Sequence, residues 1–503
     1  MPRPDAMPAD SPALRFEGAV AHPESPPRRS LDPADWAAFR AQGHRMLDDM
    51  LDAMSTVADR PLWQPVPAAT RARMRARLPL APTPLAAVHE DFLRDIAPYS
   101  SGNAHPGFMG WVQGGGTPVG MLAEMLAAGL NANLGGRDHM PIEVERQITA
   151  WMATLFGFPS DASGLFVTGT SIANFIAVLI ARAHALGTPS RGEGIGALGR
   201  RLTCYTSQAA HGCVARALDM AGIGADAVRA VAIDRRHRID LVALRTAIIA
   251  DRAAGFEPFM LVGTAGTVDI GAIDDLAALA EIACDEDLWF HVDGAFGALA
   301  ILSPALKPRL AGIERADSIA FDFHKWGQVP YDSGFLLCRD PTAHRDAFAA
   351  DAAYLRRAEL GLAGGDHWPC DYGPDLSRGF RALKTWFTLR TYGLEAIGAA
   401  IARSCALAQR LARRIEASDA LCLAAPVELN IVCFGFAGPD ADRRNTEAVT
   451  ALQLAGRVAP SSTVIDGHTV IRAAMVNHRT DERDVDVLVD ALLAMPSTGS
   501  PVQ

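Results

Sequence analysis

Between residues 164 and 340, short apolar runs rich in β-branched residues alternate with stretches of helical periodicity. That alternation constrains the fold more than any other feature of the chain. Strands are expected at 165–168, 202–206, 228–233, 258–263, 288–292, 318–322 and 335–338, with helices at 172–185, 214–220, 241–254 and 273–284. Strands separated by helix-length segments form βαβ units, because a parallel neighbour can be reached only through a crossover. The expected architecture is α/β, with a mostly parallel seven-stranded sheet covered by helices on both faces. Such sheets bind ligands outside the carboxyl ends of their strands. Residues able to do chemistry stand at those ends: Gly169-Thr170-Ser171, His211, Thr264, Asp293 and His324-Lys325.

Elements of another kind flank this core. Residues 1–30, rich in Pro, Ala and charge, read as a disordered leader. Residues 31–104 read as an N-terminal helical arm. Asp32-Pro33 and Thr83-Pro84 are helix starts, and Trp36, Phe39, Leu47, Leu51 and Met54 recur at helical spacing. Such an arm packs either on a partner subunit or on its own core, and both readings stand. A large domain is expected over 105–382 and a smaller α+β domain over 383–495, followed by a disordered tail at 496–503. One long helical pattern runs from 377 to 414. Beyond it, strands at 429–436 and 469–476 alternate with helices at 446–458 and 485–495. Glu124, Glu143 and Glu145 read as solvated helix faces.

Composition narrows the function classes. The net charge of −10 argues against nucleic acid and anionic membrane as partners. The most apolar long stretch, 119–134, is too short and too polar to span a bilayer. Eight cysteines without a Cys-x-x-Cys pair suggest reduced thiols, and no metal site is expected. With no basic segment followed by an apolar core near the N-terminus, a cytoplasmic location is expected.

Lysine usage is informative. Of 47 basic residues only Lys307, Lys325 and Lys384 are lysine. Lys325 closes an apolar run between His324 and Trp326. Unlike a guanidinium, an ammonium can lose its proton and attack a carbonyl. Asp293 closes the apolar strand Leu-Trp-Phe-His-Val-Asp and would be a buried anion unless a cation meets it. A pyridinium N–H is such a cation, although an Asp there could also cap a turn. Gly169-Thr170-Ser171, between strand and helix, could cradle a phosphate, and alone reads equally as an N-cap. His211, at the start of a helix, alone reads as a capping or solvent-facing residue. A lysine, a carboxylate, a phosphate cradle and a flat ring-covering group are together what pyridoxal 5'-phosphate requires.

In this order along successive strand ends, these residues carry a family resemblance. Phe290-His-Val-Asp-Gly-Ala295, Phe323-His-Lys-Trp326 and Arg378-Gly-Phe-Arg-Ala-Leu-Lys-Thr-Trp386 resemble the group II pyridoxal-phosphate-dependent amino acid decarboxylases. Their fold is the fold-type I, PLP-dependent transferase-like fold. The resemblance implies that Lys325 is the Schiff-base lysine, that Asp293 pairs with the pyridine nitrogen, and that Ala295 packs on the ring opposite His211. It implies that Thr170, Ser171 and His324 hold the phosphate and that Thr264 lies near the ring substituents. It also implies that Tyr354, on a mobile loop, protonates the substrate carbon with His211, in a homodimer with shared active sites.

The implied reaction is decarboxylation of a small-molecule L-amino acid to the amine and CO2. An aromatic side chain is expected because Trp111, Phe108 and Phe296 would line an apolar pocket. Departures from the family pattern are Asp322 for an asparagine near the phosphate, Phe323 for a proline, and Val268 for a threonine. Gly114 takes the place of a substrate-contacting threonine, and Trp111 that of an aromatic pocket residue supplied by the partner subunit. Asp322 would repel a phosphate unless turned away or neutralised. The rival readings are an oxygen-consuming aldehyde synthase, a decarboxylase of a non-aromatic amino acid such as glutamate, cysteine sulfinate or diaminobutyrate, and an aminotransferase using Arg472 to grip the carboxylate. A non-enzymatic cofactor-binding or assembly protein fits poorly with an intact Lys-Asp-His set.

Overall fold

A computed structural model describes residues 30–187, 189–349, 358–365 and 367–496. Residues up to Asp49 form one unit and the rest of the chain a second. In the first, Asp35 Oδ1 accepts the amides of Ala37 and Ala38, opening the helix Trp36–Ser55. Among the described residues, no helix is long and apolar enough to cross a membrane.

The second unit contains two sheets. Strands β2 (Ser163–Val167), β3 (Leu202–Ser207), β4 (Val228–Val231), β5 (Glu257–Thr264), β6 (Trp289–Asp293), β7 (Ser318–Asp322) and β8 (Gly334–Cys338) form one. Its order is β2-β8-β7-β6-β5-β3-β4, and only β8 runs antiparallel to its neighbours. Every strand anticipated from the sequence is present. The central strands are buried on both faces, as continuous Val, Ile, Leu and Phe runs demand. Separate apolar clusters cover the two faces, one built around Phe321, Phe323 and Phe335, the other around Ile176, Ile180 and Met260.

The members of the other sheet are β1 (Phe108–Met109), β9 (Leu421–Leu423), β10 (Ile431–Phe436), β11 (Ala459–Ile465) and β12 (His468–Ala474). Its order is β1-β11-β12-β10-β9. Strands β1, β9 and β11 were not legible in the sequence. The first two have two and three residues, and β11 carries Pro460, Ser461, Ser462 and Thr463 in place of an apolar alternation. The long helical pattern becomes Arg381–Glu416, broken at Gly393, whose φ of +75° a residue with a Cβ rarely adopts.

All three glutamates expected to be solvated carry an ion pair: Glu143 and Glu124 keep their exposure, Glu143 beside Arg146, and only Glu145 is buried. Lys384 Nζ, buried, lies 3.0 Å from Glu124 Oε2. Glu145 and Arg378 are buried together, with Nη2 to Oε1 at 2.6 Å. Arg378 also donates to the carbonyls of Leu134 and Phe166, and Glu145 accepts the Phe166 amide. Helical periodicity placed Glu145 outward because its partner lies more than two hundred residues away. Removing Glu145 strands a desolvated guanidinium. Glu145→Ala is expected to cost about 3–5 kcal/mol in urea unfolding. Glu145→Gln, which keeps an acceptor, is expected to cost clearly less.

Candidate active site

The carboxyl ends of β2, β3, β5, β6 and β7 open on one cavity of about 520 Å³, a size suited to a small molecule. Its wall includes Trp111, Thr170, Ser171, His211, Thr264, Asp293, Ala295, His324 and Lys325. Trp111 apart, which follows a strand of the other sheet, these residues meet because each ends or closely follows a strand of this one. Two expected site residues are missing from that wall. Tyr354 lies outside the described residues. Gly114 is buried under the turn that carries Lys325, donating its N–H to the His324 carbonyl at 3.2 Å. A Cβ there would stand 2.4 Å from the Lys325 carbonyl oxygen, so Gly114 is a packing glycine and not a pocket-wall residue.

Two further expectations are corrected. Phe108 is not on the cavity wall, because β1 pairs it with Ala459 in the other sheet, against Leu62. Phe296 and Trp111 remain there. Arg472 is buried and spends its guanidinium on the carbonyls of Gly110, Val268 and Asp269. It ties β12 to these loops and is absent from the wall, which removes the carboxylate grip the aminotransferase reading needed.

At one end of the cavity the helix Thr170–Leu186 begins. Its N-terminus offers partial positive charge, and its first amides need acceptors. Asp322 supplies one: Oδ1 accepts the Thr170 amide at 2.7 Å, while Oδ2 lies 3.0 Å from Lys325 Nζ and 3.6 Å from His324 Nε2. The carboxylate is thus turned into the cradle, not away from it, and is neutralised there by Lys325 and the helix N-terminus. His324 Nδ1 accepts the Ser333 amide at 3.1 Å, which leaves Nε2 to carry the proton toward the cradle. Burial lowers the His324 pKa, a shift that Asp322 opposes.

At the other end Asp293 terminates β6 and is buried. Oδ1 accepts the Ala295 amide at 3.1 Å, and Oδ2 accepts Asn174 Nδ2 at 2.9 Å and Cys213 Sγ at 3.6 Å. Burial, reinforced by Asp293, pushes the Cys213 thiol up to about 12, so it donates as a neutral S–H. These partners are all neutral. A buried carboxylate with only neutral donors is best offset by a cation from the cavity.

The fit to pyridoxal phosphate can be tested on unpaired atoms. Thr170 Oγ1 and Thr264 Oγ1 are buried without a hydrogen-bond partner among the described residues, and both residues line the cavity. Buried hydroxyls are seldom left so. A ligand with a phosphate at the Thr170 end, a ring oxygen near Thr264 and a ring N–H at Asp293 satisfies all three groups. The residues present fit the cofactor.

His211 is exposed at the cavity and its Nδ1 accepts the Cys213 amide at 3.2 Å, so the capping role read from sequence and a place on the wall coexist. Asn174, Cys213 and Tyr331 were missed. Asn174 was the most visible of them, a lone amide inside the apolar run Ile-Ala-Asn-Phe-Ile. Tyr331 carries no spacing signal; the chain folds it back onto His324, ring centroids 4.2 Å apart.

A mostly parallel, doubly covered sheet with this donor set at its carboxyl edge defines a pyridoxal-phosphate enzyme of fold type I. Residues 67–437 match the pyridoxal-dependent decarboxylase conserved domain, and the chain belongs to that family. An aromatic-L-amino-acid decarboxylase of Bacillus atrophaeus is 33% identical over 391 residues, covering 76% of this chain and 79% of the relative. A phenylacetaldehyde synthase of Arabidopsis thaliana is 28% identical, with 90% and 95% covered. The solved tryptophan decarboxylase of Catharanthus roseus in complex with L-tryptophan superposes with a TM-score of 0.81 at 26% identity, over 92% of this chain and 98% of that one.

Proposed function

We propose that this protein decarboxylates an aromatic L-amino acid to its amine and CO2. The observation that carries the reading is that Lys325, Asp293 and two unpaired threonine hydroxyls share a cavity with Trp111 and Phe296. Pyridoxal phosphate, when bound, supplies the electron sink for the pair left behind by CO2. Lys325 Nζ would hold its aldehyde carbon, Asp293 its ring nitrogen, and Thr170, Ser171 and His324 its phosphate, with Thr264 near the ring substituents. Ala295 and His211 would cover the two ring faces.

Lys325 must shed a proton before its nitrogen can attack, and Asp322 Oδ2, 3.0 Å away, is placed to accept it. The Cys213 amide occupies His211 Nδ1, which leaves Nε2 for ligand or proton. Tyr354, with His211, is assigned the delivery of a proton to the substrate carbon. Trp111 is 57% exposed in the single chain, and Leu122, Met125, Leu126 and Leu130 are exposed on the helix Pro118–Leu130. A second subunit covering both would complete the pocket, so the assembly is assigned as a homodimer with shared active sites, in the cytoplasm.

The aldehyde synthase reading has one specific support, the phenylacetaldehyde synthase among the relatives. Incubation with a panel of amino acids, following CO2, oxygen uptake and keto acid, separates the readings. Carbon dioxide without oxygen uptake, fastest with tryptophan, tyrosine, phenylalanine or dihydroxyphenylalanine, is the expected result. Oxygen consumed along with CO2 would establish the synthase, and keto acid without CO2 would refute both.

Asp322 gives a further expectation. Whatever part of the Asp322 charge Lys325 and the helix N-terminus leave uncompensated repels the cofactor's phosphate, and a unit charge a few ångströms away is worth several-fold in affinity even when well screened. Asp322→Asn is therefore expected to tighten cofactor binding by about tenfold, with a smaller gain at high salt. Fluorescence titration of the apoprotein at two ionic strengths measures it.

A further inference from the structure

Trp289, His291 and Asp293 alternate along β6 and so point to one face of the sheet. Ser318 of β7 is paired in register with His291, and Asn174 reaches both His291 and Asp293 from the helix Thr170–Leu186. All five are at most 7% exposed. Four hydrogen bonds join them: Trp289 Nε1 to Ser318 Oγ at 2.9 Å, Ser318 Oγ to His291 Nδ1 at 2.8 Å, His291 Nε2 to Asn174 Oδ1 at 2.9 Å, and Asn174 Nδ2 to Asp293 Oδ2 at 2.9 Å.

With Asp293 ionised, the direction of every link follows. A carboxylate only accepts, so Asn174 turns its NH2 to Asp293 and its oxygen to His291. That oxygen only accepts, so the imidazole proton is on Nε2. Burial lowers the His291 pKa to about 3, which keeps the ring neutral and Nδ1 bare. Ser318 must then donate to Nδ1 while accepting from the indole. No link can be reversed without breaking its neighbour.

We infer that Asn174, His291 and Ser318 are positioning residues for Asp293, a one-way chain of donors that holds its carboxylate ionised toward the cofactor's ring nitrogen. The inference rests on the reading that Asp293 meets that nitrogen. Burial by itself favours the protonated acid. Protonation at Oδ2 would need an acceptor beside it: Asn174 Nδ2 can only donate, and Cys213 Sγ, which already accepts from that same amide at 3.2 Å, is a weak one.

Two measurements test this. In the apoprotein with 15N-labelled histidine, His291 is expected to be the Nε2-protonated tautomer and not to titrate between about pH 5 and 8, where an ordinary histidine would. The Nδ1 tautomer, or a titrating ring, overturns the chain. In the holoenzyme with ring-15N cofactor, the pyridine nitrogen is expected to be protonated in the wild type and in His291→Gln, whose amide can donate to Asn174 and accept from Ser318. It is expected to shift toward the unprotonated form in His291→Leu and in Asn174→Asp. Asn174→Asp sets a second carboxylate against Asp293, so one of the two must take a proton. Cofactor affinity should fall about tenfold or more, the equivalent of one pKa unit. Asp293→Asn is the control. If it leaves the pyridine signal unmoved, the reading of Asp293 itself fails. If it moves the signal while His291→Leu and Asn174→Asp do not, the donor chain alone is wrong.

Discussion

Lys325→Ala is expected to lower CO2 release by on the order of 10⁴-fold or more, the scale on which losing a covalent nucleophile acts. Borohydride should no longer fix a chromophore to the protein. Two effects combine in this variant, because Lys325 also balances Asp322, whose Oδ2 it meets at 3.0 Å. Without the ammonium, a buried carboxylate remains in the phosphate cradle with only the helix N-terminus and His324 to offset it. Cofactor affinity should therefore fall as well as turnover. Lys325→Arg separates the two. A guanidinium restores the positive charge beside Asp322 but does not deprotonate in a protein, so cofactor binding should recover in part while CO2 release stays lost. Turnover within tenfold of wild type in either variant would refute the assignment of Lys325.

The second large effect belongs to Asp293→Asn. The change is isosteric and leaves the cavity its shape, but it removes the charge that would stabilise a protonated ring nitrogen. Stabilisation of developing charge by a fixed group is commonly worth 10²–10³ in rate, and a loss of that order in kcat is expected, with the substrate KM much less affected. The substitution also turns an amide N–H toward a donor. Oδ1 of Asp293 faces the Ala295 amide and Oδ2 faces Asn174 and Cys213, so neither orientation of the new carboxamide satisfies all its neighbours. Part of the loss should therefore appear as weaker cofactor binding. A kcat unchanged at saturating cofactor would show that no ring nitrogen depends on this carboxylate.

Much of this site was legible because it is built from strand ends. A run such as Leu-Trp-Phe-His-Val-Asp announces a buried strand through its apolar content, and the polar residue that ends it must lie at the sheet's carboxyl edge. The same logic found His324-Lys325 after Ser-Ile-Ala-Phe-Asp and Thr170 after Gly-Leu-Phe-Val-Thr. Groups that act through a neighbour escaped it. Asn174 sits inside a helix, and only the approach of β6 turns its amide into a donor for Asp293. Glu145 looked solvated until Arg378 closed over it. Phe108 lies in β1 and Gly114 in the loop after it, whose course follows from the pairing of Phe108 with Ala459, far along the chain.

Local periodicity and the order of strand ends thus determined the sheet, its mostly parallel character and the family of chemistry, since both depend on which side chains alternate and on which polar residues terminate each strand. Only the tertiary structure decided how charge is settled within the cavity: that Asp322 turns inward onto Lys325, that Arg472 is consumed by backbone carbonyls, and that a directed row of donors backs Asp293. The reason is physical. A strand's apolar pattern is a property of neighbouring residues, whereas the fate of a buried charge depends on groups that meet it only after the chain has folded.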